Sequence, residues 1–552
     1  MNLRKELANL IFPNINRTID DLEKEYQERD LKEGAKVTRF APSPTGFLHT
    51  GSLFTSMIAH KLAFDSDGIF YTRLEDTDTK REIEGSGEQL INQLAKFGIV
   101  PNEGYLGSKE SGNYGPYKQS CRKEIYDIVI KDMIAKGIAY PCFLTEDDLN
   151  KIREEQTKNK EITGIYGKYA IYRDLDCETA INYIKQGKPY VIRFKSSGDH
   201  TKKIKVKDEI RGELDLTQND QDIVIRKSDN LPTYHFAHVC DDHFMHTNLV
   251  TRGEEWLPSL PIHIELFHAL GFKAPKYAHL PVIMKMDNGT RRKLSKRKDS
   301  EASVEYFLQV GYEPKAILVY LMTIANSNYE DFIVQTKDYD LSHFKFNLKK
   351  MSLDGALFDN DKLAYYGKEI LGYMKKEEIA SKSFEWAKSY SKELYDLILS
   401  LKDKYVDILN IEREKKNPRK DYAKYSDIYE NIKFFDREEY LKIVANKYDF
   451  NESFDLKLIK NILADYSNNL GLGNDENSWY SNLKEIGNKY NFATDNKLYK
   501  QNPDAFRGNM NDLCEIIRVI VSGRKITPNL FAILTILGEE EIKFRINNFL
   551  SK

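Results

Sequence analysis

Cysteine is scarce: the five in 552 residues (Cys121, Cys142, Cys177, Cys240, Cys514) include no C-x-x-C pair. That excludes a disulfide-stapled scaffold and the common zinc knuckles, and leaves reduced thiols of a cytosolic protein as the expectation. Long apolar runs are missing as well. The longest, Ala316 to Ala325, is about half of the ~20 residues that a membrane-spanning helix needs, so it predicts a core helix and no membrane partner. The first residues alternate in charge and reach Pro13 after a brief apolar patch, without the h-region of a signal peptide. The expected location is the cytoplasm. Charge of one sign is not in excess, because 83 Lys and Arg face 85 Asp and Glu for a net −2. No global field gathers nucleic acid, and any RNA contact must be local. Internal repeats and low-complexity tracts are absent. So is any nucleophile–base pair among the motifs, which leaves no covalent enzyme intermediate indicated.

A chain of this length exceeds what one hydrophobic core organises, and roughly three to five domains or subdomains are expected. Residues 1–36 read as a helical arm, with Ile19, Leu22 and Tyr26 at helical spacing among charges; a structural brace is the plain interpretation. From 37 to 117 strand, helix and strand alternate in the rhythm of a doubly wound parallel sheet, the first half of a Rossmann-like catalytic domain. Residues 118–222 break that rhythm and read as an inserted α+β domain. The sheet is expected to resume over 223–280, at Ile223–Arg226 and Asn248–Arg252. A region over 281–367 carries a basic loop, and 368–552 is mainly α-helical. The fold class is therefore α/β with an α+β insertion and a helical C-terminal region.

Two distant stretches carry the chemistry. Phe47-Leu48-His49-Thr50-Gly51-Ser52 follows a β-like run, Val37 to Ala41, and a Pro42-Ser43-Pro44-Thr45-Gly46 turn, and it opens a helix. Uncapped N–H groups and the positive end of the helix dipole then face the loop, where a triphosphate is held without a nearby lysine. His49 stands where an imidazole donates to phosphate oxygen as charge builds, and Gly51 leaves room for a flat base to approach. Lys293-Leu294-Ser295-Lys296-Arg297 follows Asn288-Gly289, a pair that favours a two-residue hairpin. Lys296 is suited to the β and γ phosphates and departing pyrophosphate, with Lys293 and Arg297 lending charge. Taken singly, His49 reads as a surface or capping histidine and Lys-x-Ser-Lys as a solvated turn. Together they predict one nucleotide site.

Arg39 before the loop and Arg252 at a later strand end suit carboxylates, and Glu75, at the next strand end, suits an ammonium. Asp76 and Asp78 read instead as caps of the following helix. A small molecule with one amine and more than one carboxylate is the natural ligand. Arg413 to Lys420 is the most basic cluster of the helical third, a phosphate track or a solvated loop.

Arg39-Phe40-Ala41-Pro42-Ser43-Pro44-Thr45-Gly46, Arg73-Leu74-Glu75-Asp76-Thr77-Asp78, Arg226-Lys227-Ser228-Asp229, Pro232-Thr233-Tyr234-His235, Arg252-Gly253-Glu254-Glu255-Trp256 and Lys293-Leu294-Ser295-Lys296-Arg297 resemble, in order, the bacterial-type glutamyl-tRNA synthetases. The C-terminal third, with Ile517-Arg518-Val519 and Val521-Ser522-Gly523-Arg524, is similar to that family's helical anticodon-binding region. The resemblance implies a class I aminoacyl-tRNA synthetase. Such an enzyme joins L-glutamate to the terminal adenosine of tRNA(Glu) through a glutamyl adenylate, with tRNA(Gln) left open as a second acceptor.

It also implies ATP contacts from His49, Gly51, Glu255, Lys293, Ser295 and Lys296, the catalytic ones being His49, Lys293 and Lys296. Glutamate contacts are implied from Arg39, Ser43, Glu75, Tyr234, His238 and Arg252. Residues 118–222 become the acceptor-end-binding domain, 281–367 the stem-contact region and 368–552 the anticodon-binding region. ATP is a substrate, Mg²⁺ shares its charge, and a monomer is implied. No protein metal ligand and no structural zinc are expected, since Cys121 and Cys142 alone supply no zinc site. Two positions depart from the family: His238 stands where relatives have asparagine, and Ser52 where they have glycine or histidine. A glutaminyl-tRNA synthetase is disfavoured by the helical last third, and the short relative that modifies a tRNA base by the chain length.

Overall fold

The computed structural model describes residues 3–78, 82–295, 297–353, 355–473 and 475–552. They form two compact units, Met1–Tyr306 with Leu318–Asp359, and Phe307–Ile317 with Asn360–Lys552.

The first unit begins with α1 (Leu3–Ile11) and α2 (Ile19–Glu25), the latter opened by a capping box between Thr18 and Asp21. Leu7, Ala8, Ile11, Leu22 and Tyr26 are buried in one core with residues of a later helix. The arm is packed against the body of this unit along its apolar face. Next comes β1 (Val37–Phe40), buried along its whole length, and α3 (Thr50–Phe64), which packs on it. β2 (Ile69–Thr72), α4 (Ser86–Lys96), β3 (Glu103–Tyr105) and β4 (Glu110–Ser111) follow. Strands β1, β2 and β3 are parallel, with Arg39 opposite Tyr71, and β4 closes the edge antiparallel.

Residues from α5 (Lys123–Lys136) onward build the insertion: β5 (Ala139–Cys142), α6 (Glu146–Asn159), α7 (Cys177–Lys185) and β6 (Val191–Phe194). Then come β7 (Lys203–Asp208), β8 (Gly212–Thr217) and β9 (Val224–Arg226). Here the strand pairing differs from expectation. β9 pairs antiparallel with β6 and so completes the insertion's own sheet, while the β7–β8 hairpin joins the sheet that follows. Hydrophobic pattern alone does not reveal this, because a short apolar strand serves either sheet equally well.

After α8 (Tyr234–Phe244) the parallel sheet resumes with β10 (Leu249–Gly253), α9 (Leu260–Leu270) and β11 (Lys276–Leu280). Asn248 ties its two halves together: its N–H donates to Val37 O (3.2 Å), its Oδ1 accepts from Val37 N (2.8 Å), and its Nδ2 donates to Ala35 O (2.8 Å). Strands are added outward from β1 in one direction and from β10 in the other. Between those two lies the switch point of a doubly wound sheet, the place where such sheets bind ligands.

The expected hairpin is present as β12 (Ile283–Asp287) and β13 (Thr290–Lys293), antiparallel, with Asn288 at φ +48° and Gly289 at φ +82°. Both turn residues are left-handed, the type I′ geometry that Asn-Gly tolerates best.

The second unit is helical from Asn360–Tyr373 to Glu539–Leu550, interrupted by one short parallel pair, Phe492–Ala493 with Gly508–Asn509. The basic run within it is largely engaged. Arg413 is buried and donates to the carbonyls of Leu371, Gly372 and Met374 at a helix end, and to Leu409. Lys420 pairs with Glu369 at 2.6 Å and Arg419 with Asp421 at 2.6 Å. Arg413 therefore serves the fold and does not track phosphates.

Candidate active site

The loop after β1 turns at Gly46 (φ +143°), a backbone that favours glycine, and delivers His49 to the start of α3 as its N-cap residue. His49 has extended φ/ψ and its side chain makes no cap bond to the helix. The reading of it as a helix-capping histidine therefore falls away. Gly51 is a glycine without an internal reason: a Cβ there meets only His49 Nδ1 at 3.7 Å, an ordinary contact, and its φ is not positive.

The second signature is stitched to the first by the chain just beyond it. Thr50 Oγ1 donates to Glu301 O (2.6 Å), Val304 N donates to Leu48 O (3.2 Å), and His49 forms a β-bridge with Ser303. Asp299 organises the basic loop from behind. It receives both Nη atoms of Arg292 (2.6 and 2.8 Å) and the Ser295 N–H (2.8 Å), and Arg292 holds its carboxyl well below the usual range. Lys293 Nζ lies 3.5 Å from Glu255 Oε1 at the rim.

His49, Gly51, Glu255 and Lys293 line one cavity of about 1290 Å³ together with Arg39, Ser43, Glu75, Tyr234 and Arg252. Ser295 is not among the lining residues, since its backbone turns around Asp299. Lys296 lies outside the described residues. Neither Asp76 nor Asp78 caps α4, whose N-cap is Gly85 without a side-chain bond. Asp76 instead accepts from Ser120 N (2.8 Å) and Ser120 Oγ (2.6 Å).

The two arginines that line the cavity differ. Arg39 lies on β1 against Asp242, with Nε 3.3 Å from Oδ2. Burial, the largest single influence, works against its charge, but Asp242 together with Tyr234 and Glu75 outweighs it and the pKa is raised. Asp242 also takes Arg73 Nη1 at 2.7 Å, and Arg73 Nη2 donates to Glu75 Oε1 at 3.0 Å. Burial pushes the Glu75 carboxyl above its ordinary range against the pull of Arg73 and Arg39.

Arg252 is equally buried, yet its guanidinium contacts neutral acceptors. Nε donates to His279 Nε2 (2.9 Å), Nη1 to His263 Nδ1 (3.1 Å) and Nη2 to Trp256 O (3.3 Å), and Tyr277 lies 4.9 Å beneath it. Among the described residues no carboxylate pairs with it directly. Tyr234 packs at a tilt against Trp256, ring centroids 4.6 Å apart, and both line the cavity.

His238 is fully buried and does not line the cavity. Its Nδ1 is 3.1 Å from Asp242 Oδ2 and 3.4 Å from Arg39 Nη2, and its Nε2 is 3.0 Å from the Tyr277 hydroxyl. Burial, and then the nearby arginines, hold it neutral. Arg39 can only donate, so its hydrogen bond to Nδ1 leaves the proton of the neutral ring on Nε2, which donates to the Tyr277 hydroxyl.

Asp242, Arg73, His263 and His279 escaped the sequence reading. The contacts that bring them to Arg39 and Arg252, directly or through Asp242, span from 11 to 203 positions along the chain, and no local spacing marks those contacts.

Residues 36–364 match the family described as tRNA synthetases class I (E and Q), catalytic domain, and residues 483–550 match an anticodon binding domain. The chain is 45% identical over 548 residues to a glutamate–tRNA ligase of Clostridium perfringens (strain SM101 / Type A), spanning 99% of each. It is 44% identical to that of Acetivibrio thermocellus, over 99% of this chain and 100% of the other. A crystal structure of a glutamate tRNA ligase from Elizabethkingia meningosepticum in complex with its amino acid superposes with a TM-score of 0.73 at 27% identity, covering 94% of this chain and 99% of that one.

Proposed function

Because this chain belongs to the class I glutamate–tRNA ligases, we propose that the cavity at the switch point between β1 and β10 is where it makes glutamyl adenylate from glutamate and ATP. The reaction of the family is ATP-dependent attachment of glutamate to tRNA through that adenylate. The observation that carries the assignment is that both signatures, through His49 and Lys293, line a cavity that also contains Arg252. At about 1290 Å³ it exceeds the ~300–1,000 Å³ of an ordinary small-ligand pocket. A nucleotide and an amino acid fit side by side.

In this reading Arg252 takes the side-chain carboxylate and Glu75 the ammonium, with Arg39, Ser43 and Tyr234 completing the amino-acid pocket. His238 acts from behind, holding Arg39 and Asp242 in place. The α-carboxylate then faces the α-phosphate over the start of α3. His49 donates to phosphate oxygen, Gly51 gives room to the adenine, and Glu255 and Lys293 stand at the nucleotide rim. Lys296, with Ser295 beside it, supplies a cation to the departing pyrophosphate. Attack of the α-carboxylate on the α-phosphate releases pyrophosphate and leaves glutamyl adenylate, and a hydroxyl of the terminal adenosine of tRNA then takes the glutamyl group as the bond to phosphate breaks and AMP leaves. The protein contributes position and electrostatics.

Mg²⁺ brings charge neutralisation to the phosphates. Of the acids lining the cavity, Glu75 is engaged by Arg73, Glu255 by Lys293 and Asp229 by Lys227, and no cluster of three or more metal-ligating side chains is found among the described residues. The ion therefore enters with the nucleotide, as Mg²⁺ commonly does. No structural zinc belongs to this reading, which places a monomer in the cytoplasm. Residues 118–222 receive the acceptor end, 281–367 contact the stem and 368–552 read the anticodon.

Lys296→Ala is expected to slow adenylate formation by about a hundredfold or more, the effect of removing a transition-state cation. An unchanged single-turnover rate with glutamate, ATP and tRNA rules out that role. The acceptor assigned is tRNA(Glu), and labelled glutamate offered with purified tRNA(Glu) and tRNA(Gln) in parallel measures whether the second is charged as well.

A further inference from the structure

Arginine has five N–H donors and no acceptor. Arg252 spends three of them on His279, His263 and the Trp256 carbonyl. Since Arg252 can only donate, each histidine must present a bare nitrogen to it, and this sets both tautomers. His279 accepts at Nε2, so its proton is on Nδ1, which donates to Asp208 Oδ2 at 2.7 Å. His263 accepts at Nδ1, so its proton is on Nε2, which donates to His235 Nδ1 at 3.0 Å. The fold supplies both arrangements. β7 meets β11 in register at Asp208 and Tyr277, which also lets the His279 N–H donate to Asp208 (3.1 Å), while α8 and α9 carry His235 and His263 face to face.

We infer that His279 and His263 are positioning residues for amino-acid selection. They hold Arg252 by neutral ring nitrogens, so that its charge and its two remaining N–H donors are left for the substrate's side-chain carboxylate. The inference rests on the assignment of Arg252 to that carboxylate. A carboxylate in place of either ring would neutralise the guanidinium in advance, and the neutral side-chain amide of glutamine would then compete on nearly even terms. The nearest anion in this chain of contacts, Asp208, is kept one imidazole ring away. Burial lowers the basicity of both histidines and keeps them in the accepting, uncharged form.

The opposite tautomers give a test that a merely structural role does not pass. An asparagine amide reaches about as far as histidine Nδ1, and a glutamine amide about as far as Nε2. Thus His279→Gln preserves an acceptor for Arg252 and His279→Asn does not, whereas His263→Asn preserves one and His263→Gln does not. His279→Asn and His263→Gln are expected to raise the glutamate KM about tenfold or more, with the ATP KM within about twofold, while the other two stay within about threefold. The ranking must reverse between the positions. The same ranking at both, or an equal rise in the ATP KM, overturns the inference. Each position decides by itself if variants at the other do not fold. Neutron diffraction from wild-type crystals reads the tautomers without any substitution, and a proton on His279 Nε2 or His263 Nδ1 is equally fatal. Arg252→Lys separates the two levels. An unchanged glutamate KM removes the assignment of Arg252 and the inference with it, whereas a raised KM without the reversal removes the inference alone.

Discussion

Replacing Arg252 by alanine tests the proposal that this cavity separates glutamate from glutamine, which match in shape and differ in side-chain charge. The guanidinium is buried, contacts three neutral acceptors and has two donors left. A bidentate charge-assisted pair with a carboxylate, formed out of water, contributes about 2–4 kcal/mol. At ~1.4 kcal/mol per tenfold, that is about 30- to 700-fold in kcat/KM. Glutamine offers one neutral oxygen, and losing that bond costs about 1 kcal/mol, roughly fivefold. Arg252→Ala should therefore depress glutamate activation far more than glutamine activation, and the preference between them should shrink by about one to two orders of magnitude. The assay is pyrophosphate exchange in the presence of tRNA, with each amino acid varied to saturation. Equal losses for the two substrates would refute the reasoning, since they would place Arg252 on the α-carboxylate that both share.

Gly51→Ala puts a methyl group where the only protein neighbour is His49 Nδ1 at 3.7 Å. Thermal stability should stay level or rise by up to about 1 kcal/mol, as for a glycine replaced within a helix, while the ATP KM rises; a loss of stability with unchanged ATP KM would show that the glycine serves the fold. Glu75 has a folded-state pKa above its ordinary value, raised by burial, so the native state binds the extra proton and stability declines as pH climbs through the window between the two values. Its charge thus weakens the fold at neutral pH. Glu75→Gln should keep or raise the thermal midpoint at pH 7 while lifting the glutamate KM about tenfold or more, as expected for a lost charge-assisted contact to the ammonium; a lowered midpoint with normal KM would make Glu75 a structural residue. In the wild type, glutamate kcat/KM should fall as pH drops through that raised pKa, because the ammonium needs the carboxylate.

Features written in neighbouring residues were legible before any coordinates. The Asn288-Gly289 turn, the delivery of His49 to a helix start and the placing of Arg39, Glu75 and Arg252 at strand ends each depend on a few consecutive side chains and on backbone sterics. Errors arose where a residue's role depends on a remote partner. Asp76 looked like a helix cap and holds Ser120; Arg413, read as part of a phosphate track or a solvated loop, is neither and ties down helix-end carbonyls; β9 looked like the returning parallel sheet and pairs with β6.

The amino-acid string by itself determined the reaction class, because the two nucleotide signatures and the ordered strand-end motifs are local patterns with local physical meaning. Which charges stay available was decided only in three dimensions. Arg39 and Arg252 are the same residue type at equivalent strand ends, but folding brings Asp242 to one and the neutral rings of His263 and His279 to the other. Desolvation then amplifies that difference, since a buried guanidinium keeps its full pull on an incoming carboxylate only when no anion of the protein has already answered it.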